Sequence, residues 1–245
     1  MTRIAHLSDT HLNGSADHNR RLRRALGQAA LVDPDYLLIT GDLTSSGKMA
    51  EFQELADCLT GWSANRVTLV AGNHDGEPAN WLAALQQTGL SRFAGSSTPG
   101  AAVDRGDSAI VPVSSQARSR ALLFRAQGSA SAAHLERARQ LAELNSGHAV
   151  IIAMHHGPQW HPLQPFDGLS NRASVLQLLR DHPNLWICCG HDHRALDLGQ
   201  VFTAASAAEH PDPVRIYEVV GPRLVPTYRS ALSGTSWGWL HGLIR

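Results

Sequence analysis

Short apolar runs alternate along this chain with longer stretches in which apolar residues recur at helical spacing. The apolar runs predict strands at residues 4–9, 36–40, 67–70, 149–154 and 185–189. The stretches between them predict helices at 17–32, 48–59 and 131–144, one that opens at Pro78 and runs through Leu85, and one through Val175 and Leu179. Strands that alternate with helices of this length are typical of α/β proteins with short crossovers.

The alternation of apolar and polar residues is weaker in two later regions of the chain. Residues 108–113 and 121–125 are predicted strands between connectors rich in Gly, Ser and Pro, and 201–203 and 215–220 are predicted strands of a meander that closes a second sheet. No repeat or linker interrupts the chain, so residues 1–245 are expected to form a single domain. The tail at 230–245 carries Trp237 and Trp239 and is expected to dock on the body or on a second subunit, as in a homodimer.

Each of the five strongly apolar runs ends in Asp, Asn or His. The polar residues that follow them are Asp9 and His11, Asp42, Asn73-His74-Asp75, His155-His156, and His191 with His193. Ligands of open α/β sheets bind at the carboxyl ends of the strands, so strands that share a sheet would bring these side chains together. One histidine at a strand end is usually a hydrogen-bonded loop residue, but five such ends indicate a metal site.

The chemistry of these residues narrows the kind of metal. Nitrogen and oxygen ligands without thiolate suit Mn, Fe, Zn or Co rather than Ca or an iron–sulfur cluster. The candidate ligands are too many for one ion, which favours two ions that share a carboxylate. Two divalent ions carry more charge than Asp9 and Asp42 neutralise, so the centre would attract an anionic substrate such as a phosphate ester. Two metals acidify bound water and clamp the oxygens of an in-line displacement.

Composition limits the alternatives. Lys plus Arg equals Asp plus Glu, at 21 each, and the zero formal net charge gives no global attraction for nucleic acid or anionic membranes. Cys58, Cys188 and Cys189 do not form a secreted disulfide framework. No run approaches the roughly 20 apolar residues of a membrane span, and the first residues are unlike a signal peptide. A cytoplasmic location without membrane contact is therefore expected.

Taken in order, the motifs resemble the calcineurin-like metallophosphoesterase superfamily. They are Asp9-x-His11, Gly41-Asp42, Gly72-Asn73-His74-Asp75, His155-His156-Gly157-Pro158 and Gly190-His191-x-His193. The resemblance implies an α/β fold, a four-layer α/β/β/α sandwich, with a dinuclear site at the carboxyl ends of the strands. It also implies two transition-metal ions as cofactors, Mn, Fe or Zn, and a small phosphoester as substrate.

The same resemblance implies individual roles. Asp9, His11 and His193 would hold the first metal, Asp42 would bridge, and Asn73, His191 and one histidine of the pair would hold the second. His155 takes the usual ligand position of the pair, while Gly157 before Pro158 resembles a variant motif in which His156 remains an alternative. His74 would act as a general acid, with Asp75 orienting its ring. Asp192 is expected to point away from the metals.

The spacing within residues 4–11 and 35–42 resembles the bacterial branch of cyclic-nucleotide and glycerophosphodiester phosphodiesterases. That resemblance implies a small phosphodiester as the substrate. The alternatives are a phosphomonoesterase or nucleotidase and, from another class, a non-catalytic metal-binding interaction module. Candidate substrate-loop residues, which could equally pack on the body, are His161, Phe166, Asp167 and Asn171.

Overall fold

The computed structural model describes residues 1–116, 126–159 and 168–227, and two β-sheets form its centre. In chain order the strands are β1 (Arg3–Leu7), β2 (Tyr36–Thr40), β3 (Val67–Val70), β4 (Val103–Asp104), β5 (Ser108–Pro112), β6 (Ala149–Ala153), β7 (Leu185–Cys189), β8 (Leu196–Leu198), β9 (Val201–Thr203), β10 (Arg215–Val220) and β11 (Arg223–Pro226). One sheet has five strands in the order β11-β10-β1-β2-β3, and the other has six in the order β4-β5-β6-β7-β9-β8.

Five α-helices are described, and they cover the outer faces of the sheets. They are α1 (Ala16–Ala30), α2 (Met49–Cys58), α3 (Pro78–Gln87), α4 (Ala132–Leu144) and α5 (Arg172–Asp181). The first helix shows why such segments form: Ser15 caps it by accepting a hydrogen bond from the His18 amide, and Leu22, Leu26 and Ala29 are buried along one face. None of the helices in the described ranges is both long and apolar enough to cross a membrane.

Three buried apolar clusters define four layers. One joins α1, α2 and α3 to the first sheet, and a second joins α4 and α5 to the other sheet. The third lies between the sheets and contains Ile4, Tyr36, Ile151, Phe202 and Tyr217. The expected α/β/β/α sandwich is therefore confirmed.

The central strands run in parallel within each sheet. β1, β2 and β3 pair in parallel, as do β5, β6, β7 and β9. The carboxyl ends of each parallel group therefore meet at one edge of its sheet, where the candidate ligands lie.

The predicted terminal meander is wrong. β9 continues the second sheet beside β7, whereas β10 crosses back and pairs antiparallel with β1 of the first sheet. The apolar pattern identifies both segments as strands, but it carries no information on which sheet each one joins. The short strands β4, β8 and β11 were not predicted, while the predicted strand at 121–125 and the tail at 230–245 lie outside the described residues.

Candidate metal centre

The candidate ligands follow strands of both sheets rather than strands of a single sheet. Asp9, Asp42 and Asn73 follow β1, β2 and β3, while the paired histidines and His191 follow β6 and β7. The two groups nevertheless meet because the sheets pack face to face with these loops at the same edge. The His191 amide donates to Asp9 Oδ2 at 3.1 Å, and His155 Nδ1 lies 2.9 Å from the Thr40 carbonyl.

A first ligand group contains Asp9, His11 and His193. One ligand atom from each residue lies within 4.8 Å of the others. Nε2 of His193 is 3.3 Å from Asp9 Oδ1 and 3.2 Å from Nε2 of His11. Two ring nitrogens that face each other beside a carboxylate oxygen form an arrangement suited to a cation.

A second ligand group contains His155, His156 and His191, whose nitrogen atoms meet the same 4.8 Å criterion. His155 also belongs to a group with Asp9 and Asp42. Asp42 Oδ2 lies 3.3 Å from His155 Nε2 and 3.8 Å from His11 Nε2. The Asp42 carboxylate therefore lies between the first and second ligand groups.

Unpaired buried atoms show that the residues fit metal ions. Among the described residues, the buried side-chain atoms without a hydrogen-bond partner include Asp9 Oδ1, Asn73 Oδ1, His155 Nε2 and His156 Nε2. Leaving such an atom buried and unpaired costs about 1–3 kcal/mol. All four are atoms that bind transition metals, so coordination would remove this cost.

The backbone at the site is strained. Positive φ angles occur at Asp9 (54°), His11 (42°), Asp42 (47°), His191 (73°) and His193 (55°). In the described chain, Asp33 is the one further non-glycine residue with a positive φ. Such conformations are costly for residues with a side chain and concentrate at functional sites. Each lies just after a strand and redirects the chain there.

Glycines allow the ligands to approach the neighbouring backbone. A Cβ atom at Gly72 would collide with Asp42, and one at Gly190 would collide with Ser8 and Asp9. A Cβ atom at Gly128 would likewise collide with the ring of His156, although Gly128 belongs to none of the sequence motifs. Its role depends on a contact between distant segments, and no local signal could have indicated it.

Hydrogen bonds orient the rings of three candidate ligands. Nδ1 of His155 donates to the Thr40 carbonyl, Nδ1 of His156 is 2.9 Å from Ser115 Oγ, and Nδ1 of His193 is 3.1 Å from Glu209 Oε2. Each bond leaves Nε2 directed at its ligand group. The sequence does not indicate Ser115 or Glu209, since neither lies near its histidine along the chain.

Burial and neighbouring charges shift the pKa values of the groups at the centre. Burial opposes ionisation of Asp42, but His155 beside it holds the pKa of that carboxyl well below its usual value. The neighbouring Asp9 carboxylate is the largest influence on His193 and raises the pKa of that histidine to about 9. Burial, reinforced by His155, lowers the pKa of His156 well below the usual range. The carboxylates of Asp9 and Asp42 therefore favour positive charge on the groups next to them.

His74 lies at the exposed rim of the centre. Its backbone amide donates to Asp42 Oδ1 at 2.9 Å, and its ring meets that of His11 edge to face, with centroids 5.1 Å apart. Nδ1 of His74 is 2.9 Å from the Ser45 carbonyl. This carbonyl orients the ring and leaves Nε2 as the other polar atom of the ring.

Asp75 does not orient His74, which corrects the interpretation of its carboxylate. One oxygen accepts hydrogen bonds from the Gly72 and Leu43 amides, and the other accepts from the amide and hydroxyl of Thr44. Burial, with Asp42 adding to it, raises the pKa of Asp75 to about 6. Asp75 therefore connects the loop after β3 to the loop after β2, which carries Asp42.

The remaining predicted residues lie apart from the two ligand groups or outside the described residues. The amide of Asn171 pairs with the backbone of Ala130, and Asn171 lines a cavity of about 680 Å³ between α3 and α4 that none of the candidate ligands line. Asp192 accepts a hydrogen bond from Gln159 at 2.7 Å. His161, Phe166 and Asp167 lie outside the described residues.

Comparisons with known proteins agree with this architecture. The family described as "Calcineurin-like phosphoesterase" matches residues 2–195. No curated protein sequence matches the chain. Among solved structures, a dimetal phosphatase from Danio rerio is 16% identical with a TM-score of 0.65, and the alignment covers 90% of this chain and 95% of that one.

Two other structures share the fold at lower identity. GAP50, the anchor in the inner membrane complex of Plasmodium, is 11% identical with a TM-score of 0.58, over 97% of this chain and 87% of that one. The purple acid phosphatase PPD1 from yellow lupin (Lupinus luteus) is 10% identical with a TM-score of 0.63, over 96% of this chain and 52% of that one.

Proposed function

Since this chain belongs to the calcineurin-like phosphoesterase family, we propose that it is a metal-dependent hydrolase of small phosphodiesters. The observation that carries the proposal is the pair of ligand groups on either side of the Asp42 carboxylate. The two groups contain buried atoms without a hydrogen-bond partner, and the exposed residue His74 is joined to Asp42 by its backbone amide. This is the geometry that a two-metal hydrolysis requires, with a proton donor at the rim.

The proposed ligand assignment follows the two groups. Asp9, His11 and His193 hold the first ion, Asp42 bridges, and Asn73, His191 and His155 hold the second. When bound, two transition-metal ions such as Mn, Fe or Zn supply an acidified water and stabilise charge on the phosphoryl oxygens.

His155 is favoured over His156 because its Nε2 lies 3.3 Å from the bridging carboxylate. His156 remains the alternative, since its Nε2 is also buried and unpaired. Comparing the metal content of His155→Ala and His156→Ala tests this choice. The variant that loses the second equivalent identifies the ligand.

His74 is the proposed general acid. The Ser45 carbonyl accepts from Nδ1, so Nε2 is the atom from which a protonated ring would transfer its proton to the leaving oxygen. The His74 amide also donates to Asp42 Oδ1, which fixes the distance between the acid and the bridging carboxylate. Asp75 contributes indirectly, by holding the loop that carries Asp42.

A phosphomonoesterase or nucleotidase is the second candidate, because the positive centre can attract either class of ester. The dimetal phosphatase among the similar structures favours this alternative. The anchor protein GAP50 keeps the third reading open, a module of this fold that only binds partners. The intact ligand groups and His74 support catalysis over that reading.

The place of the protein in the cell and its assembly state complete the proposal. Cys58, Cys188 and Cys189 are buried free thiols, as expected in a reducing compartment such as the cytoplasm. The zero net charge disfavours nucleic acid as a partner. A homodimer through residues 230–245 remains a prediction from the sequence.

The deciding experiment compares hydrolysis of bis-(p-nitrophenyl) phosphate and p-nitrophenyl phosphate, with Mn supplied and then chelated. We expect activity that depends on metal and is higher on the diester. Higher activity on the monoester would replace the proposal with the phosphatase alternative. No turnover of either ester by protein with two bound metal equivalents would favour the binding module.

A further inference from the structure

We propose that Glu209, a residue outside the family motifs, positions His193 and thereby sets the metal affinity of the first ligand group. The inference rests on the proposed metal site, although not on the identity of the substrate. Its basis is the 3.1 Å contact between Glu209 Oε2 and Nδ1 of His193.

The turn that carries Glu209 is attached to the end of β1. Ser206 Oγ donates to the Asp9 carbonyl at 3.0 Å, and the Ala208 amide donates to the same carbonyl at 3.2 Å. The Ala207 amide donates to the Ser8 carbonyl at 2.9 Å. One turn therefore holds the strained backbone of Asp9 and places a carboxylate beside His193, so it organises two of the three ligands in the first group.

The contact determines which nitrogen of His193 can bind a metal. A carboxylate beside Nδ1 keeps the proton on that nitrogen, and the lone pair is left on Nε2. Nε2 is the atom that faces Asp9 Oδ1 at 3.3 Å and His11 Nε2 at 3.2 Å. Glu209 thus fixes both the tautomer and the direction of the ring.

The first ligand group differs in this respect from the paired histidines. The ring of His155 is held by a carbonyl and that of His156 by a hydroxyl, both neutral, whereas His193 has an anionic partner. An anionic partner makes the ligand nitrogen more basic, and losing such a partner typically lowers metal affinity 10- to 100-fold. Loss of the Glu209 carboxylate should therefore weaken the first position selectively.

The positioning role of Glu209 can be distinguished from a purely structural role, because its side chain can be changed without disturbing the fold. The Glu209 side chain is 66% exposed, so removing it leaves no cavity. The backbone contacts of the turn do not involve the carboxylate, and Arg21 Nη1 contacts the Glu209 carbonyl rather than its side chain. Substitution should therefore leave the fold of the metal-free protein unchanged.

The test is a metal titration of the full chain with Mn and a competing chelator. His11→Ala identifies which of the two binding steps belongs to the first group. Glu209→Ala should weaken that step by about 10- to 100-fold, and Glu209→Gln by less, because an amide oxygen can still accept the proton of Nδ1. Glu218→Gln is the matched control, since Glu218 on β10 pairs with Arg3 on β1. The urea midpoint of each metal-free variant serves as the structural readout.

Wild-type affinity at both steps in Glu209→Ala would overturn the inference. Equal losses at both steps together with a lower urea midpoint would also overturn it, because they would indicate a structural role. Failure of the proposed function gives a different result, which is two-metal binding by the wild type without hydrolysis of either ester. In that case the selective effect of Glu209 on affinity would still be measurable.

Discussion

At the scale of single residues, several candidate ligands have unfavourable backbone conformations or buried atoms without a hydrogen-bond partner. Asp9 and Asp42 adopt left-handed backbone conformations, and Nε2 of His155 is buried without a hydrogen-bond partner. Such features reduce stability and persist where function requires them. His74 differs from these residues because it lies at the exposed rim and its ring is already oriented by the Ser45 carbonyl.

The proposed general-acid role of His74 predicts a loss of turnover that depends on the leaving group. His74→Ala should retain both metals and lose roughly a hundredfold or more of turnover on an alkyl phosphodiester, whose leaving oxygen needs a proton. The loss should be much smaller on bis-(p-nitrophenyl) phosphate, because nitrophenolate leaves without protonation. Steady-state kinetics on both esters measure the difference, with the exposed His148→Ala as control. Equal losses on the two esters would contradict the general-acid role.

At the scale of elements, the loops after the strands form one connected structure. The Asp9 and His11 amides donate to the Gly41 and Asp42 carbonyls at 3.0 and 2.9 Å, which joins the loops after β1 and β2. Asp75 joins the loops after β2 and β3 through both of its carboxylate oxygens. The ligands of the first sheet therefore depend on each other's loops for their positions.

This connection predicts that Asp75→Ala is primarily a structural mutation. It would leave the buried amides of Gly72, Leu43 and Thr44 without their acceptor, so the free energy of unfolding should fall by at least about 3 kcal/mol. Metal content should fall with it, because the Asp42 loop loses its anchor. Urea unfolding and metal analysis measure the two effects, and Asp75→Asn, which keeps acceptor oxygen, should lose less. A fully stable, metal-loaded Asp75→Ala protein with low turnover would restore the interpretation that Asp75 acts through His74.

At the scale of the whole molecule, the candidate metal centre joins the two sheets. The first ligand group and Asp42 lie mainly on loops of one sheet, while the paired histidines and His191 lie on loops of the other. An ion pair or hydrogen bond across this edge contributes little compared with coordination of both groups. Metal binding should therefore stabilise the sandwich as a unit.

Metal removal tests this coupling of the sheets. At a metal concentration of 100 times Kd, each independent site adds about 2.7 kcal/mol to the free energy of unfolding, so chelation should lower Tm. Asp42→Asn should greatly reduce the shift, since it removes the carboxylate between the two groups. Thermal unfolding with Mn and with chelator measures the shift in both proteins. An identical shift in Asp42→Asn would show that Asp42 is not shared.

The contacts of His6 with neighbouring strands of the first sheet predict a separate pH dependence. Buried His6 lies 2.8 Å from Thr40 Oγ1 and 3.1 Å from the Tyr217 hydroxyl, and burial, with Arg215 adding to it, lowers its pKa to about 3. In the unfolded chain a histidine titrates near 6.5, so below that pH the unfolded state binds a proton that the folded state does not. The free energy of unfolding therefore falls as pH falls from 6.5 toward 3, whereas above pH 6.5 His6 causes no such loss.

The expected slope approaches about 1.4 kcal/mol per pH unit. His6→Gln, which does not titrate, should flatten the dependence of the unfolding free energy on pH between 6 and 4. Urea unfolding in the presence of a chelator measures this pH dependence. His148→Gln, at an exposed position, should leave the slope as in the wild type. An unchanged slope in His6→Gln would show that His6 is not the group responsible.

The sequence by itself determined the local elements and the identities of the candidate ligands. Strand β2 and the strands at 67–70 and 185–189 were predicted at their observed bounds, because a short apolar run between polar residues has few other conformations. Motif order was sufficient to indicate the family, since the ligand types and their spacing are properties of the chain. The structure brings Asp9, His11 and His193 together, and their binding of a metal stays a prediction.

Only the tertiary structure decided how these elements combine. Periodicity shows that a segment is a strand but not which sheet it joins, so the crossing of β10 to the first sheet was not predictable. The contact between Glu209 and His193 and the loop contacts of Asp75 depend on how distant loops pack. Local sequence sets the conformations that a segment prefers, whereas hydrogen-bond partners between segments are set by packing of the whole chain.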